Sequence, residues 1–305
     1  MDSGIDMIDT ALAYGDGHSE TLVGEVVRDI GARDWAVVAT KIPPLDKKWP
    51  AREGVSLGKI FPPEYVQQCV ERSLRNMRAE VLVIEQLHVW RDEWLDSDEW
   101  KAVRATMERM VKEGKVLHWG VSINSHEPET ALRILEDPLI ETVQVIYNIF
   151  DPSAATELFA KAKEHDVGVI VRCPFDEGAL TGKLDHESKF PARDFRSWYF
   201  RDDRLLQLRE RLAPLRELLG DHAQTLAELA LRFCLIPEEV GTVIPGMRRP
   251  EHMAANLGCA DGAGLPAEII YRLAELAWDK APRPVAHFSG LATGRHACID
   301  TDTGH

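Results

Sequence analysis

Seven short apolar runs, separated by amphipathic segments, constrain the fold of this 305-residue sequence more than any other feature. Most of the runs are continuous in Val, Ile and Leu with little polar alternation, which is typical of strands buried on both faces. The runs span residues 4–9, 35–40, 81–89, 116–122, 142–148, 167–172 and 241–245. Because a helical pattern follows each run, we predict a parallel sheet with helices outside it.

The amphipathic segments carry apolar residues at helical spacing, and one of them opens with Pro62-Pro63, which suits a first helical turn. Helices are predicted at 19–30, 62–77, 96–113, 127–136, 153–165, 203–219, 226–233 and 250–260. Two connections that follow strands are long, 42–61 and 173–202, and such loops usually cover a site. Strand number alone leaves two folds open, because an open doubly wound sheet holds seven strands and a closed barrel needs eight.

Charge and cysteine content restrict the partners and the compartment. The net charge of −14 argues against a nucleic-acid surface or an anionic membrane as the main partner. It leaves room for an anionic cofactor, which a few local arginines can hold. The five cysteines show no CxxC spacing, and together with a polar N-terminus and no apolar run of about 18 residues they predict a cytoplasmic protein with free thiols.

Four polar residues lie at or just beyond the ends of three successive strands: Asp9, Tyr14, Lys41 and His88. Each has an ordinary explanation when taken alone. The aspartate suits a turn cap, the lysine a solvent-reaching side chain, the histidine a satisfied structural residue and the tyrosine a loop aromatic. The residues by themselves do not decide between these explanations and a joint catalytic role.

Several segments occur in an order that resembles the aldo-keto reductase family, over roughly residues 3 to 260. They are GIDMIDTALAYGDGHSETLVGEVV, ATKIPP, EQLHVW, GVSIN, VQVIYN and VIPGMRRPEHMAANLG. The resemblance implies an α/β fold, a (β/α)8 TIM-type barrel over residues 1–281 with a tail at 282–305. It also implies an oxidoreductase that reduces small aldehydes or ketones with NADPH and no metal, with NAD as a possible alternative cofactor.

The family begins with a strand and a helix ahead of the strand that carries the aspartate. This sequence begins near the end of that helix, so the expected barrel lacks the first strand and most of the first helix. Three explanations stay open: a recorded start at an internal Met, closure through a partner chain, or a degenerate, inactive relative. The last of these defines a rival function, a dinucleotide-binding protein with a regulatory or interaction role.

The resemblance assigns a role to each of the four strand-end residues. Tyr14 is expected to be the general acid that protonates the carbonyl oxygen. A free phenol holds its proton to about pH 10, and a nearby ammonium, here that of Lys41, lowers such a pKa. Asp9 is expected to pair with Lys41, and His88 to orient the substrate oxygen.

Cofactor-binding residues follow from the same resemblance. Ser122, Asn124 and Gln144 are expected at the nicotinamide carboxamide. The remaining assigned residues are Arg172, Pro174, Phe175, Gly178 and Leu180 in one segment, and Gly246, Arg248, His252 and Asn256 in another. The second segment enters a helix N-terminus, which favours phosphate, and an arginine there suits a 2′-phosphate.

Arg172 stands where many family members have an aromatic residue, and its role is left open. Its guanidinium is expected to do one of three things: stack on the nicotinamide ring, bind an acidic substrate or a cofactor phosphate, or form a salt bridge to Asp176 or Glu177. Three tryptophans on loops, Trp49, Trp90 and Trp94, either line a substrate pocket or pack the loops down. The acidic run Asp92, Glu93, Asp96, Asp98 and Glu99 is interpreted as a solvated face with helix-capping residues.

Overall fold

The computed structural model describes residues 4–123, 126–192, 194–201 and 203–278. Seven strands occur in this part of the chain, and they follow one another in chain order in the sheet. The strands are β1 (Met7–Asp9), β2 (Val37–Ile42), β3 (Leu82–Leu87), β4 (Val116–Ser122), β5 (Ile140–Ile146), β6 (Gly168–Arg172) and β7 (Val240–Val243). The pairs β1–β2, β2–β3, β5–β6 and β6–β7 are parallel, so the prediction of a parallel sheet is confirmed.

Ten α-helices lie between and after the strands in the described residues. They are α1 (His18–Asp29), α2 (Leu57–Ile60), α3 (Pro63–Met77), α4 (Asp98–Lys112), α5 (Leu158–Glu164), α6 (Phe195–Tyr199), α7 (Arg204–Glu217), α8 (Leu226–Cys234), α9 (Pro250–Leu257) and α10 (Ala267–Ala274). None of the described helices is long and apolar enough to cross a membrane. The predicted tail, 282–305, lies outside the described residues.

The described chain falls into two compact units. The first comprises residues 4–89 with 93–120, and the second comprises 90–92 with 121–278. In the first unit α1 crosses the end of α3 at Gly24, where an added Cβ would lie 2.3 Å from the carbonyl oxygen of Met77. The two helices therefore approach this closely only because the residue is glycine. In the second unit the ring of Tyr147 stacks on Phe233 at 5.1 Å and meets the edge of Phe159 at 5.0 Å.

The helix predicted at 127–136 is wrong, because this segment forms two short 3-10 turns, Pro128–Ala131 and Ile134–Glu136. The reason is a carboxylate from a distant part of the chain. Asp92 accepts the backbone N–H groups of Arg133 at 2.7 Å and of Ile134 at 3.1 Å. A side chain that takes these donors begins a new turn and prevents one continuous helix.

Candidate active site

Lys41 and Asp9 form a buried ion pair at the carboxyl ends of β1 and β2. Asp9 is in register with Ala39, and Lys41 is two residues further on, so the two side chains leave the same face of the sheet. Lys41 is fully buried, and its Nζ donates to Oδ1 and Oδ2 of Asp9 and to the carbonyl oxygen of Thr10, each at 2.7 Å. Three oxygens thus serve the three ammonium hydrogens, as a buried charge requires.

Tyr14 lies beside this pair on a short loop between β1 and α1. Its backbone N–H donates to Ala11 at 3.0 Å, and Gly15 and Gly17 have positive φ values that turn the chain into α1. Nζ of Lys41 is 5.6 Å from the centre of the phenol ring. The tyrosine is 39% exposed, so the phenol reaches solvent while the ammonium beneath it does not.

His88 follows β3 directly and completes the group. Its backbone N–H donates to the carbonyl of Ile42 at 3.0 Å, which continues the β2–β3 ladder and holds the residue at the strand end. The half-buried imidazole meets the edge of the Tyr14 ring at 6.0 Å and of the Trp49 ring at 5.6 Å. The structure therefore brings Asp9, Tyr14, Lys41 and His88 together within the first unit.

The three loop tryptophans differ in what their indole N–H groups do. Trp90 and Trp94 are buried, and they donate to the Asp92 carboxylate at 2.9 Å and the Val55 carbonyl at 2.7 Å. These two side chains pack the loops down. Trp49 is half-buried and lies against His88. Of the two alternatives for the loop tryptophans, packing therefore describes Trp90 and Trp94, whereas lining a pocket suits Trp49.

The acidic run after β3 is only partly a solvated face. Asp98 is exposed and pairs with Lys101, as the sequence interpretation expects. Asp92 and Glu99 instead hold distant backbone: Asp92 caps the turn at 133–134, and Glu99 accepts the N–H of Gly58 at 2.8 Å. Both carboxylates therefore tie loops of the chain together.

A second buried acidic group lies on the opposite face of β2 and β3, and the sequence analysis missed it. Thr40 is in register with Glu85, and its hydroxyl donates to fully buried Glu20 at 2.6 Å. Glu85 is also fully buried, and neither of its carboxyl oxygens has a hydrogen-bond partner in the described residues. Burial, and then the charge of Glu20, raise the pKa of Glu85 well above its usual value. The signal was present as a single glutamate inside the run VLVIEQL.

The second unit carries the residues assigned to the cofactor. Ser122 ends β4 and Gln144 lies in β5, both almost fully buried, and the carbonyl of Gln144 accepts the N–H of Ile123 at 2.9 Å. Asn124 lies outside the described residues.

Arg172 ends β6 and extends to the loop after β4. Its Nη2 donates to the carbonyl oxygen of Ile123 at 3.0 Å, and Nη1 is 3.5 Å from Sγ of Cys173. No carboxylate of the described residues lies within salt-bridge distance, so the alternative of a salt bridge to Asp176 or Glu177 is wrong. Asp176 instead accepts the Tyr199 hydroxyl at 2.6 Å, and burial raises the pKa of Glu177.

The turn after β6 has an unusual backbone. Cys173, Asp176 and Glu177 all have φ between 47° and 57°, a region that costs a non-glycine residue about 1–3 kcal/mol. Gly178 follows with φ of 100°. The side chains of Pro174 and Leu180 are buried, whereas Phe175 and Gly178 are half-buried. Phe175 and Gly178, like half-buried Arg172, therefore present surface to a ligand.

The segment after β7 is exposed and basic. Gly246 and Arg248 are exposed, Arg249 occupies the N-cap position of α9, and His252 is half-buried in the first turn of that helix. Asn256, further along α9, has a buried Nδ2 without a hydrogen-bond partner in the described residues. Free N–H groups and the positive end of the helix dipole favour a phosphate at such a helix start.

These residues fit a nicotinamide dinucleotide. Nε of Arg172 and Nδ2 of Asn256 are buried donors that the described residues leave unpaired, and buried donors are normally paired. Two arginines at the start of α9 supply positive charge for phosphate. Burial raises the pKa of Cys69 and of Cys173 to about 12, which disfavours the thiolate form at these two positions.

The fold and the site define a class: a parallel β/α protein of the barrel type with a phenol, an ammonium, a carboxylate and an imidazole grouped at strand ends. A model described as "Aldo/keto reductase family" matches residues 1–277, and the chain belongs to that family. The predicted fold class, an α/β fold of the (β/α)8 barrel type, is confirmed.

Three relatives illustrate the range of the family. The aldo-keto reductase YhdN of Bacillus subtilis is 28% identical over 84% of this chain and 74% of its own length. A probable voltage-gated potassium channel subunit beta of Arabidopsis thaliana is 26% identical over 94% of this chain and 87% of its own. The solved structure of the glycerol dehydrogenase from Gluconobacter oxydans matches 94% of this chain and 85% of its own, with a TM-score of 0.72 at 26% identity.

Proposed function

We propose that the chain is an NADPH-dependent oxidoreductase that reduces an aldehyde or ketone to the alcohol. The observation that carries the proposal is the fully buried Lys41 ammonium, held by Asp9 and lying 5.6 Å from the ring of an exposed phenol. A structural ion pair has no need of a phenol beside it. A phenol that donates a proton, by contrast, needs an ammonium beside it, because the ammonium stabilises the phenolate that remains after the proton leaves.

The chain's own residues perform the proton transfer. His88 and Tyr14 hold the substrate oxygen by hydrogen bonds, with their rings 6.0 Å apart. Tyr14 donates its proton to that oxygen as the carbonyl carbon is reduced, and Lys41 stabilises the phenolate. Asp9 keeps the ammonium charged and directed, because it fills two of the three donor positions. Solvent returns a proton to the exposed phenol before the next turnover.

The residues of the second unit would hold the dinucleotide. When bound, the reduced nicotinamide supplies the hydride. Ser122 and Gln144 suit the carboxamide, Arg172 the neighbourhood of the ring, and Asn256 the adenosine end. Exposed Arg248 suits a 2′-phosphate, which supports NADPH, and NADH is the alternative because exposed side chains alone carry this preference.

A second candidate function is cofactor binding with a regulatory or interaction role. The similarity to a potassium channel subunit beta favours it. The two candidates differ in turnover, since a regulatory protein binds NADPH but does not consume it with a carbonyl compound.

The test is NADPH consumption by the purified chain with a panel of aldehydes and ketones, alongside NADPH binding measured by fluorescence. The proposed reductase binds NADPH and consumes it with at least part of the panel. Binding without consumption on any carbonyl compound supports the regulatory candidate. Absence of binding contradicts both.

A further inference from the structure

The loop that carries Trp49 is fixed by the protein itself. This loop, residues 43–56, follows β2 and is tied to the segment after β3 as well as to itself. The anchors are Arg52 Nη2 to Asp46 at 2.9 Å, Gly54 N–H to Glu93 at 3.0 Å, and Trp94 Nε1 to Val55 at 2.7 Å. The Tyr65 hydroxyl also donates to the carbonyl oxygen of Pro43 at 3.0 Å, so the loop that carries Trp49 is held at both ends by the protein itself.

Trp49 is the loop tryptophan whose polar group is not used in packing. Trp90 and Trp94 are buried and give their N–H groups to protein oxygens. Trp49 is half-buried, and its N–H makes no hydrogen bond within the part of the chain that the structure describes. A large ring held by a rigid loop, yet left partly open to solvent, is typical of a residue that lines a binding site.

The position of the ring relates it to the reacting carbonyl. The imidazole of His88 makes edge-on contact with two rings, that of Tyr14 at 6.0 Å and that of Trp49 at 5.6 Å between ring centres. A carbonyl group held by Tyr14 and His88 therefore lies close enough to the indole for a ring substituent on its carbon to reach it.

We propose that Trp49 is a specificity-determining residue that selects carbonyl compounds with an aromatic substituent. The inference rests on the proposed reductase function and names the substrate class of that site. Aromatic rings gain affinity from offset or edge-on contacts beyond the area they bury, and Trp49 already adopts such a contact with His88. An aliphatic substituent of similar polarity lacks this gain.

The experiment compares matched pairs of substrates, each an aromatic aldehyde and its saturated counterpart, such as benzaldehyde and cyclohexanecarbaldehyde, with NADPH. The proteins are wild type, Trp49→Phe, Trp49→Ala and Trp35→Ala. Trp35 is the matched control, because it is 45% exposed and precedes β2, at the opposite end of the strand from Lys41. Thermal unfolding and NADPH binding of each variant confirm that it is folded.

Trp49→Ala is expected to lower kcat/KM about tenfold for the aromatic member relative to the saturated one, mainly through KM. Trp49→Phe retains most of the preference, because it keeps a planar ring, and Trp35→Ala leaves both substrates unchanged. An equal loss for both members, no loss for either, or a Trp49→Phe protein no better than Trp49→Ala overturns the inference. Wild-type turnover distinguishes failure of the proposed function from failure of the inference about Trp49. If wild type consumes NADPH with none of the substrates tested, the proposed function is wrong, and the inference fails with it.

Discussion

Lys41, in the candidate catalytic cluster of the first unit, differs from Arg172 and Asn256, among the candidate cofactor residues of the second, in how its buried nitrogen is paired. Lys41 has an oxygen at 2.7 Å for each of its three ammonium hydrogens, all from its own chain. Arg172 and Asn256 each retain a buried nitrogen that no described residue pairs. An unpaired buried donor costs about 1–3 kcal/mol, so it persists where a ligand or water relieves the cost.

The difference teaches how the work is divided. Proton transfer depends on angles and distances among a few side chains, and folding alone sets them. In the proposed function, dinucleotide binding is completed by the ligand, whose polar groups would supply partners for Arg172 and Asn256. The following predictions test whether the first region is complete by itself and the second is not.

The largest expected effect concerns the proton donor. Tyr14→Phe removes one hydroxyl from an exposed side chain, so the melting temperature stays the same while kcat falls by about 10²–10⁴-fold. The measurement is steady-state NADPH consumption with the best substrate of the panel. A variant that turns over as fast as wild type would show that another group donates the proton.

The buried ion pair should dominate the stability of the first region. Asp9→Asn leaves a fully buried ammonium without its counter-charge, and we expect the free energy of unfolding to fall by about 3–5 kcal/mol. Urea denaturation measures it. Combining Asp9→Asn with Lys41→Met should cost less than the sum of the two single changes.

The matched control for this pair is the exposed pair Asp98–Lys101. Its removal should leave the denaturation midpoint unchanged, because both charges are solvated. If removing either pair changed the denaturation midpoint by the same amount, the stability of the first region would not depend on the buried Lys41–Asp9 ion pair.

The second region should respond to its ligand. At a concentration of 100 Kd, NADPH should stabilise the protein by about 2.7 kcal/mol. Arg248→Ala should weaken NADPH binding about tenfold and leave NADH binding nearly unchanged, because only NADPH carries the 2′-phosphate. Fluorescence titration of both cofactors checks this, with exposed Arg216→Ala in α7 as the control. Equal losses for both cofactors would place Arg248 away from the 2′-phosphate.

The smallest effect concerns the pH dependence of stability and should come from Glu85. Within the buried acidic group of Glu20 and Glu85, it is the residue whose carboxyl oxygens have no hydrogen-bond partner in the described residues. Its pKa is raised in the folded state, so the folded protein binds more protons than the unfolded chain above the usual glutamate pKa. Stability contributed by this group is therefore lost as pH rises from that value towards the raised one. Between pH 5 and pH 8, wild type should lose stability more steeply than Glu85→Gln.

Denaturation midpoints of the two proteins at several pH values measure the difference in slope. Glu64→Gln, an exposed change in the first turn of α3, serves as the control and should keep the wild-type slope. Parallel curves for wild type and Glu85→Gln would mean that Glu85 titrates as it does in the unfolded chain.

Much of the fold was predictable because it rests on local chemistry. All seven predicted strands occur, and β4 has the predicted bounds of 116–122. The failure at 127–136 has a long-range cause, since the Asp92 carboxylate that divides this segment lies some forty residues away. Helix α6 was missed inside the long connection 173–202, where Asp194 accepts the N–H of Arg196 and caps a short helix.

The part of the site that lies at strand ends was predictable, because the strand ends themselves could be located in the sequence. Residues at the carboxyl ends of adjacent parallel strands meet, so Asp9, Lys41 and His88 could be grouped from the sequence. The third partner of Lys41 is the backbone carbonyl of Thr10, which no residue type reveals. The sequence also left Trp49, Trp90 and Trp94 equivalent, and only their contacts separate them.

By itself, the sequence determined the order of the strands, most of the helices, the family and the identity of the strand-end residues, because side-chain periods of two and 3.6 and short motifs are local properties. Only the tertiary structure decided which buried polar groups are paired, which tryptophan stays open and where Arg172 extends. These outcomes depend on which atoms from distant parts of the chain come within about 3 Å, and hydrogen bonding and burial act only at that range.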